Sequence, residues 1–219
     1  MERFIMQDLV AWKERKDRKP LILLGARQVG KTYILKEFGR RKFENVAYIN
    51  CDNNAMVRDL FMPDYNIERI LLTIGAITGI NIQAGKTLII MDEIQELRRG
   101  LASLKYFCEN AREYHVAVAG SLLGLTLHQG ESYPVGKVNT LEMFPMTYEE
   151  FLWARGFKQQ MDLLKNGMWD IVKSLRTTYI QHLREYYMTG GMPEAVKTFI
   201  DTNDANAVRE VQEEIIMAY

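Results

Sequence analysis

Eight consecutive residues, Gly25-Ala-Arg-Gln-Val-Gly-Lys-Thr32, satisfy the pattern G-x-x-x-x-G-K-[ST] at every fixed position. Each fixed position has a chemical reason. Glycines at 25 and 30 let the backbone curl tightly enough to turn several N–H groups toward one phosphate. A helix opening at Gly30 adds the positive end of its dipole. Lys31 carries a point charge to the β- and γ-phosphates, and the Thr32 hydroxyl is placed to ligate Mg²⁺. The expected nucleotide-binding set is Gly25, Ala26, Arg27, Gln28, Val29, Gly30, Lys31, Thr32 and Tyr33, with Lys31 also counted as catalytic.

A second group of carboxylates follows some sixty residues later, in Met91-Asp-Glu-Ile-Gln95. A carboxylate at the carboxyl end of a strand beside the phosphate loop can hold Mg²⁺, often through water, and Asp92 takes that role. The next residue, Glu93, is then placed to orient and polarise an attacking water as the catalytic carboxylate. Gly120-Ser121 ends another apolar run, and Ser121 is expected to contact the γ-phosphate or the water, in competition with a plain Ser-Gly turn. Lys137, after Gly136, could offer a cation to a nucleotide, but a lone exposed lysine is the plainer account. His115, His128 and His182 have no ligand spacing, so no metal beyond the nucleotide's Mg²⁺ is expected.

These residues need a scaffold that brings distant loops together. Pro20-Leu-Ile-Leu-Leu24 and Thr87-Leu-Ile-Ile-Met91 are apolar at consecutive positions, as strands buried on both faces are. Asn45–Asn50, Val116–Ala119 and Lys137–Met143 complete five strands. Between them run helical patterns: Phe4, Ile5, Leu9 and Trp12; Gly30 to Phe38, stopped by Gly39; Ile67 to Ile77, capped by Asp64 and closed by Gly79; and Leu101, Leu104, Cys108 and Ala111. Alternation of this kind predicts an α/β fold with a parallel sheet covered on both faces. Beyond Pro145 only helical texture remains, over Thr147–Trp153, Ile171–Met188, Glu194–Ile200 and Ala205–Tyr219. The expected organisation is a core at 1–145 and a helical lid or second subdomain at 146–219. Tyr186-Tyr-Met-Thr-Gly-Gly-Met-Pro193 joins two of these helices, with Gly190 and Gly191 suited to a left-handed cap.

Composition narrows the classes further. The chain has 219 residues and zero formal net charge, with 47% hydrophobic residues and only five prolines, an ordinary globular balance. Two cysteines, Cys51 and Cys108, lie among apolar neighbours outside any metal spacing and read as inert buried thiols. Residues 1–19 lack the apolar stretch of a signal peptide. The uncharged run Ile70–Gly85 falls short of the roughly 20 apolar residues of a membrane span. No membrane association and a cytoplasmic location are expected. Residues 1–43 carry twelve Lys/Arg against five Asp/Glu. With no aromatic interleaving and a neutral whole, a nucleic-acid surface is disfavoured against a solvated helix end beside a phosphate site.

The stretches GARQVGKT, LIIMDEIQ, VAVAGSLLG, PVGKV…LEMFPMTYEEFL and YYMTGGMPEAV together resemble prokaryotic AAA+-type ATPases, in which an AAA domain precedes a C-terminal domain of unknown function. The resemblance covers nearly the whole chain. It implies a P-loop sheet of order 5-1-4-3-2, ATP and Mg²⁺ as ligands, and a helical or winged-helix region behind the core. Two departures stand out: many such relatives carry Gly-Arg where this chain has Gly136-Lys137, which removes the basis for an arginine-type contact there, and they continue past the position of Tyr219, so that a truncated second subdomain is expected. The apolar stripe Val208, Val211, Ile215 and Ala218 is expected to face a partner surface. The leading functional expectation is an ATPase that converts ATP to ADP and phosphate to drive conformational change, with self-association or a protein partner possible. The alternative is a slow nucleotide-dependent switch or scaffold. A helicase would need a second RecA-like domain, and a small-molecule kinase an Arg-rich lid; neither is recognisable. GTP specificity is disfavoured because Asn-Lys-x-Asp is absent.

Overall fold

The computed structural model describes residues 1–52, 54–120 and 134–218. They divide into two compact units, one spanning Ile5–Met143 and the other formed by Met1–Phe4 with Phe144–Tyr219.

The larger unit follows chain order as α1 (Ile5–Glu14), β1 (Leu21–Gly25), α2 (Lys31–Lys42), β2 (Asn45–Asn50), α3 (Ile67–Thr78), β3 (Thr87–Asp92), a short 3₁₀ turn (Ile94–Glu96), α4 (Gly100–Asn110), β4 (His115–Ala119) and β5 (Asn139–Met143). All the strand pairings are parallel, in the order β2-β3-β4-β1-β5. Counted from the other edge this is the expected 5-1-4-3-2. The alternation of side chains along each strand splits the core in two. Ile22, Ile89, Met91, Val116 and Val118 meet α3 and α4 on one face. Leu21, Leu23, Leu88, Ile90, Ala117 and Ala119 meet α1 and α2 on the other. Every residue of β3 is buried, which is why its sequence lacks the polar alternation of a one-sided strand. Each such aliphatic side chain contributes about 1.5–3 kcal/mol on burial.

Three boundaries differ from the sequence expectation. Helix α2 does not stop at Gly39 but runs on to Lys42. That glycine instead allows a close approach, because a Cβ there would come 2.5 Å from Val46 Cγ2 and 3.2 Å from Leu88 Cδ2. The N-cap of α3 is Asn66, whose side chain accepts from the Arg69 amide, whereas Asp64 accepts from the Asn66 amide and Arg69 just outside the helix. Strand β5 begins at Asn139 rather than Lys137.

The smaller unit holds α5 (Tyr148–Ala154), α6 (Lys158–Lys165), α7 (Trp169–Ser174), α8 (Arg176–Thr189), α9 (Pro193–Thr202) and α10 (Ala205–Met217). Its core is Met146, Phe151, Leu152, Ala195, Val196, Phe199 and Val208. Thr147 and Glu150 form a capping box at the start of α5. The same Glu150 carboxylate accepts from the Phe4 amide at 2.7 Å and pairs with Arg3 at 3.1 Å, both side chains almost fully buried. This web ties the first four residues to the smaller unit, although the sequence placed them with the core. The expected single helix Ile171–Met188 is broken at Leu175. There the Ser174 hydroxyl donates to the Ile171 carbonyl at 2.7 Å and competes with the helical ladder.

The Gly-Gly turn also departs from expectation. Gly190 has φ 70° and ψ −169°, outside the left-handed helical region, and Gly191 has no positive φ. A side chain at Gly191 would collide with the Met146 backbone, whose amide donates to the Gly191 carbonyl at 2.6 Å while Tyr186 Oη donates to the Met146 carbonyl at 2.8 Å. Of the stripe on the last helix, Val208 and Val211 pack on the unit's own apolar cluster and Ile215 is buried, whereas Ala218 is exposed.

Candidate functional site

The loop between β1 and α2 obtains its shape from backbone constraints. Gly25 has φ 155°, and a Cβ there would overlap the carbonyl oxygen of Met143 on the neighbouring strand. Gln28 and Gly30 take positive φ, at 58° and 96°, so the chain reverses within five residues. Within the loop, Ala26, Arg27 and Gln28 are exposed and Val29 is anchored in the core. Tyr33 is 56% exposed on the first turn of α2.

Lys31 is only 6% exposed, and its ammonium donates to the Gly25 carbonyl at 2.9 Å and the Ala26 carbonyl at 2.7 Å. Burial pulls its pKa down, and the nearby charges of Glu93 and Asp92 oppose that pull. The neighbouring Thr32 donates its hydroxyl to Asp92 Oδ2 at 2.6 Å. The parallel arrangement produces this meeting, because β1 and β3 flank β4 and both end at the same edge of the sheet. Asp92 is 5% exposed, and its Oδ1 is buried with no hydrogen-bond partner among the described residues.

Glu93 sits just past the strand with φ 52° and ψ 47°, a left-handed conformation that turns the chain away from the sheet. Gln95 Nε2 donates to Glu93 Oε2 at 2.5 Å. Lys31, Thr32, Asp92 and Glu93 are therefore gathered at one end of the sheet. Ser121 lies outside the described residues. Lys137 pairs with Glu109 at 2.8 Å, and this pairing raises its pKa.

Three neighbours were missed by motif reading. Tyr48 Oη donates to Asp92 Oδ2 at 3.2 Å, and burial beside Asp92 pushes the phenol up to about 12. Cys51 is buried beside the same carboxylates, and desolvation, then Asp92 and Glu93, push its thiol up to about 12. Gln95 is the third. The signal available was geometric: once β2 and β3 are adjacent, Asn50 pairs with Asp92 and Tyr48 lies two residues back on the same face.

The residues present suit Mg²⁺ held jointly with phosphate. No group of three or more His, Cys, Asp or Glu that could hold a metal exists among the described residues. Mg²⁺ in phosphate sites needs only one or two protein oxygens beside phosphates and waters, which a threonine hydroxyl next to a buried carboxylate provides.

A family model described as "AAA domain" matches residues 17–152, more than half of the chain. The chain belongs to this AAA domain family. A protein of Methanocaldococcus jannaschii named "Uncharacterized protein MJ1637" is 28% identical over 209 residues, covering 88% of this chain and 42% of the relative. The chain thus spans less than half the length of that curated relative. Among solved structures, a point mutant of Thermotoga maritima RuvB is similar with a TM-score of 0.52 at 14% identity, covering 95% of this chain and 66% of that one. C. elegans PCH-2 is similar with a TM-score of 0.50 at 11% identity, covering 98% and 67%. At such identities the likeness concerns the fold. Family and fold together make this a nucleotide-binding domain of ATPase type. Among the described residues, no helix is long and apolar enough to cross a membrane.

Proposed function

We propose that the domain binds ATP with Mg²⁺ and hydrolyses it to ADP and phosphate, using the released free energy for conformational change. The observation that carries this reading is the contact between Thr32 Oγ1 and Asp92 Oδ2 at 2.6 Å, with Asp92 Oδ1 left buried and unpartnered among the described residues. A hydroxyl and a carboxylate so placed supply two oxygens to one small cation. Bound Mg²⁺ would neutralise charge on the β- and γ-phosphates. The loop amides of residues 25–32 orient the phosphates, and Lys31 adds a charge whose desolvation strengthens its attraction to them. Glu93 accepts the proton of the attacking water, and Ser121 is assigned to the γ-phosphate or that water.

Lys31→Ala tests the reading. It should weaken ATP binding severely by calorimetry, since a charge-assisted contact is worth roughly 1.5–3 kcal/mol before long-range attraction is added. Unchanged affinity in a folded variant would overturn the assignment.

A second reading, a slow nucleotide-dependent switch, is favoured by the bond from Gln95 to Glu93. It occupies one oxygen of the proposed base. Under this reading Gln95→Ala raises turnover; under rapid hydrolysis it does not.

A further inference from the structure

The two oxygens of Asp92 are treated differently by the fold. Oδ2 receives the Thr32 hydroxyl at 2.6 Å and the Tyr48 hydroxyl at 3.2 Å. Oδ1 is buried and receives nothing among the described residues. Two donors on one oxygen fix the rotation of a carboxylate and leave the other oxygen as its free acceptor. The Tyr48 side chain reaches Asp92 diagonally: Tyr48 pairs with Ile90 and Asn50 with Asp92, a separation that a long aromatic side chain can bridge.

The ring of Tyr48 is itself held. Lys36, one helical turn beyond Thr32 on α2, places its ammonium 3.4 Å from the ring centroid. The cation attracts the electron-rich face and fixes the plane in which the hydroxyl can point. One helix therefore supplies both Thr32, which binds Asp92 directly, and Lys36, which orients the second donor. Neither Tyr48 nor Lys36 belongs to the phosphate-loop pattern or the Asp-Glu pair.

Building on the Mg²⁺-ATP reading above, we infer that Tyr48, oriented by Lys36, is a positioning residue that fixes the Asp92 carboxylate so that Oδ1 is presented to the cation. It touches neither nucleotide nor reacting atoms in this assignment. Its contribution is to the gain in nucleotide affinity that Mg²⁺ brings.

The test is titration of the full chain with a fluorescent ATP analogue, once with Mg²⁺ and once with EDTA. Tyr48→Phe keeps the ring and its contact with Lys36 and removes only the donor. It should reduce the Mg²⁺-supported gain in affinity about tenfold, equivalent to roughly 1.4 kcal/mol, and leave affinity in EDTA unchanged. Lys36→Ala, at an exposed position, should lower the same gain about twofold to threefold. A gain that survives Tyr48→Phe intact overturns the role of Tyr48 alone. Equal losses with and without Mg²⁺ also overturn it, because they mark a general packing defect. A parent protein whose ATP affinity does not respond to Mg²⁺ overturns the underlying reading as well.

Discussion

His115 opens β4 beneath Trp12 and Phe43, whose rings lie 5.9 and 4.9 Å from its own. It is 5% exposed. Burial, reinforced by the Arg18 and Lys13 charges, lowers its pKa from 6.5 to about 4. Between those values the unfolded chain binds a proton that the folded chain does not, so stability must fall as pH falls from about 6.5 toward about 4. A depression from 6.5 to about 4 corresponds to roughly 3 kcal/mol in full, of which about 2 kcal/mol is lost by pH 5. The perturbation is His115→Phe, which keeps an aromatic ring among aromatic neighbours and removes the titration. Urea unfolding at pH 8, 7, 6 and 5 gives the difference between variant and parent, in which the carboxylates common to both cancel. The parent should lose about 2 kcal/mol more than the variant between pH 8 and pH 5. Parallel stability curves for the two proteins would refute the burial argument.

Three further outcomes follow from packing and charge. Glu150→Ala removes the carboxylate that pairs with the buried Arg3 and dismantles the capping box, so urea unfolding should show a loss of about 3–5 kcal/mol; a loss under about 1 kcal/mol would mean the pair is solvated. Gly39→Ala forces a methyl group against Val46 and should cost about 1–3 kcal/mol, with the midpoint of thermal unfolding lowered; an unchanged midpoint would show that α2 shifts freely. Cys51, with its thiol pushed up to about 12, should resist alkylation by iodoacetamide at pH 8 in the folded protein, and rapid modification by mass spectrometry would contradict its burial.

The sheet was legible because its central strands are apolar on both faces, and because the phosphate loop fixes one strand-to-helix junction to within a residue. Their order followed from the family resemblance rather than from periodicity. Reading glycine as a stop held at Gly79, the left-handed cap of α3, and failed at Gly39 inside α2. Gly39 serves a helix-to-sheet approach, Gly191 an approach to the Met146 backbone, and neither purpose leaves a local trace. The apolar spacing on α10 was visible, but spacing alone does not say whether a helix faces its own unit or another molecule. Helix α6, bracketed by Gly156 and Gly167, was passed over because its stripe is short. At the site, motif spacing brought out Lys31, Thr32, Asp92 and Glu93, whereas Tyr48 and Gln95 emerge only through strand adjacency and a left-handed turn.

Whether the domain hydrolyses the ATP it binds is decided by Glu93→Gln. Glutamine keeps the size of the side chain but cannot take up a proton as a carboxylate does. Parent and variant are each mixed with ATP and Mg²⁺ in a single-turnover experiment, and the bound nucleotide is analysed over time. Both should bind ATP with similar affinity; the parent should convert it to ADP and phosphate, and the variant should retain it as ATP. Conversion at equal rates in the two proteins, or ATP persisting unhydrolysed on the parent, would contradict hydrolysis by way of Glu93.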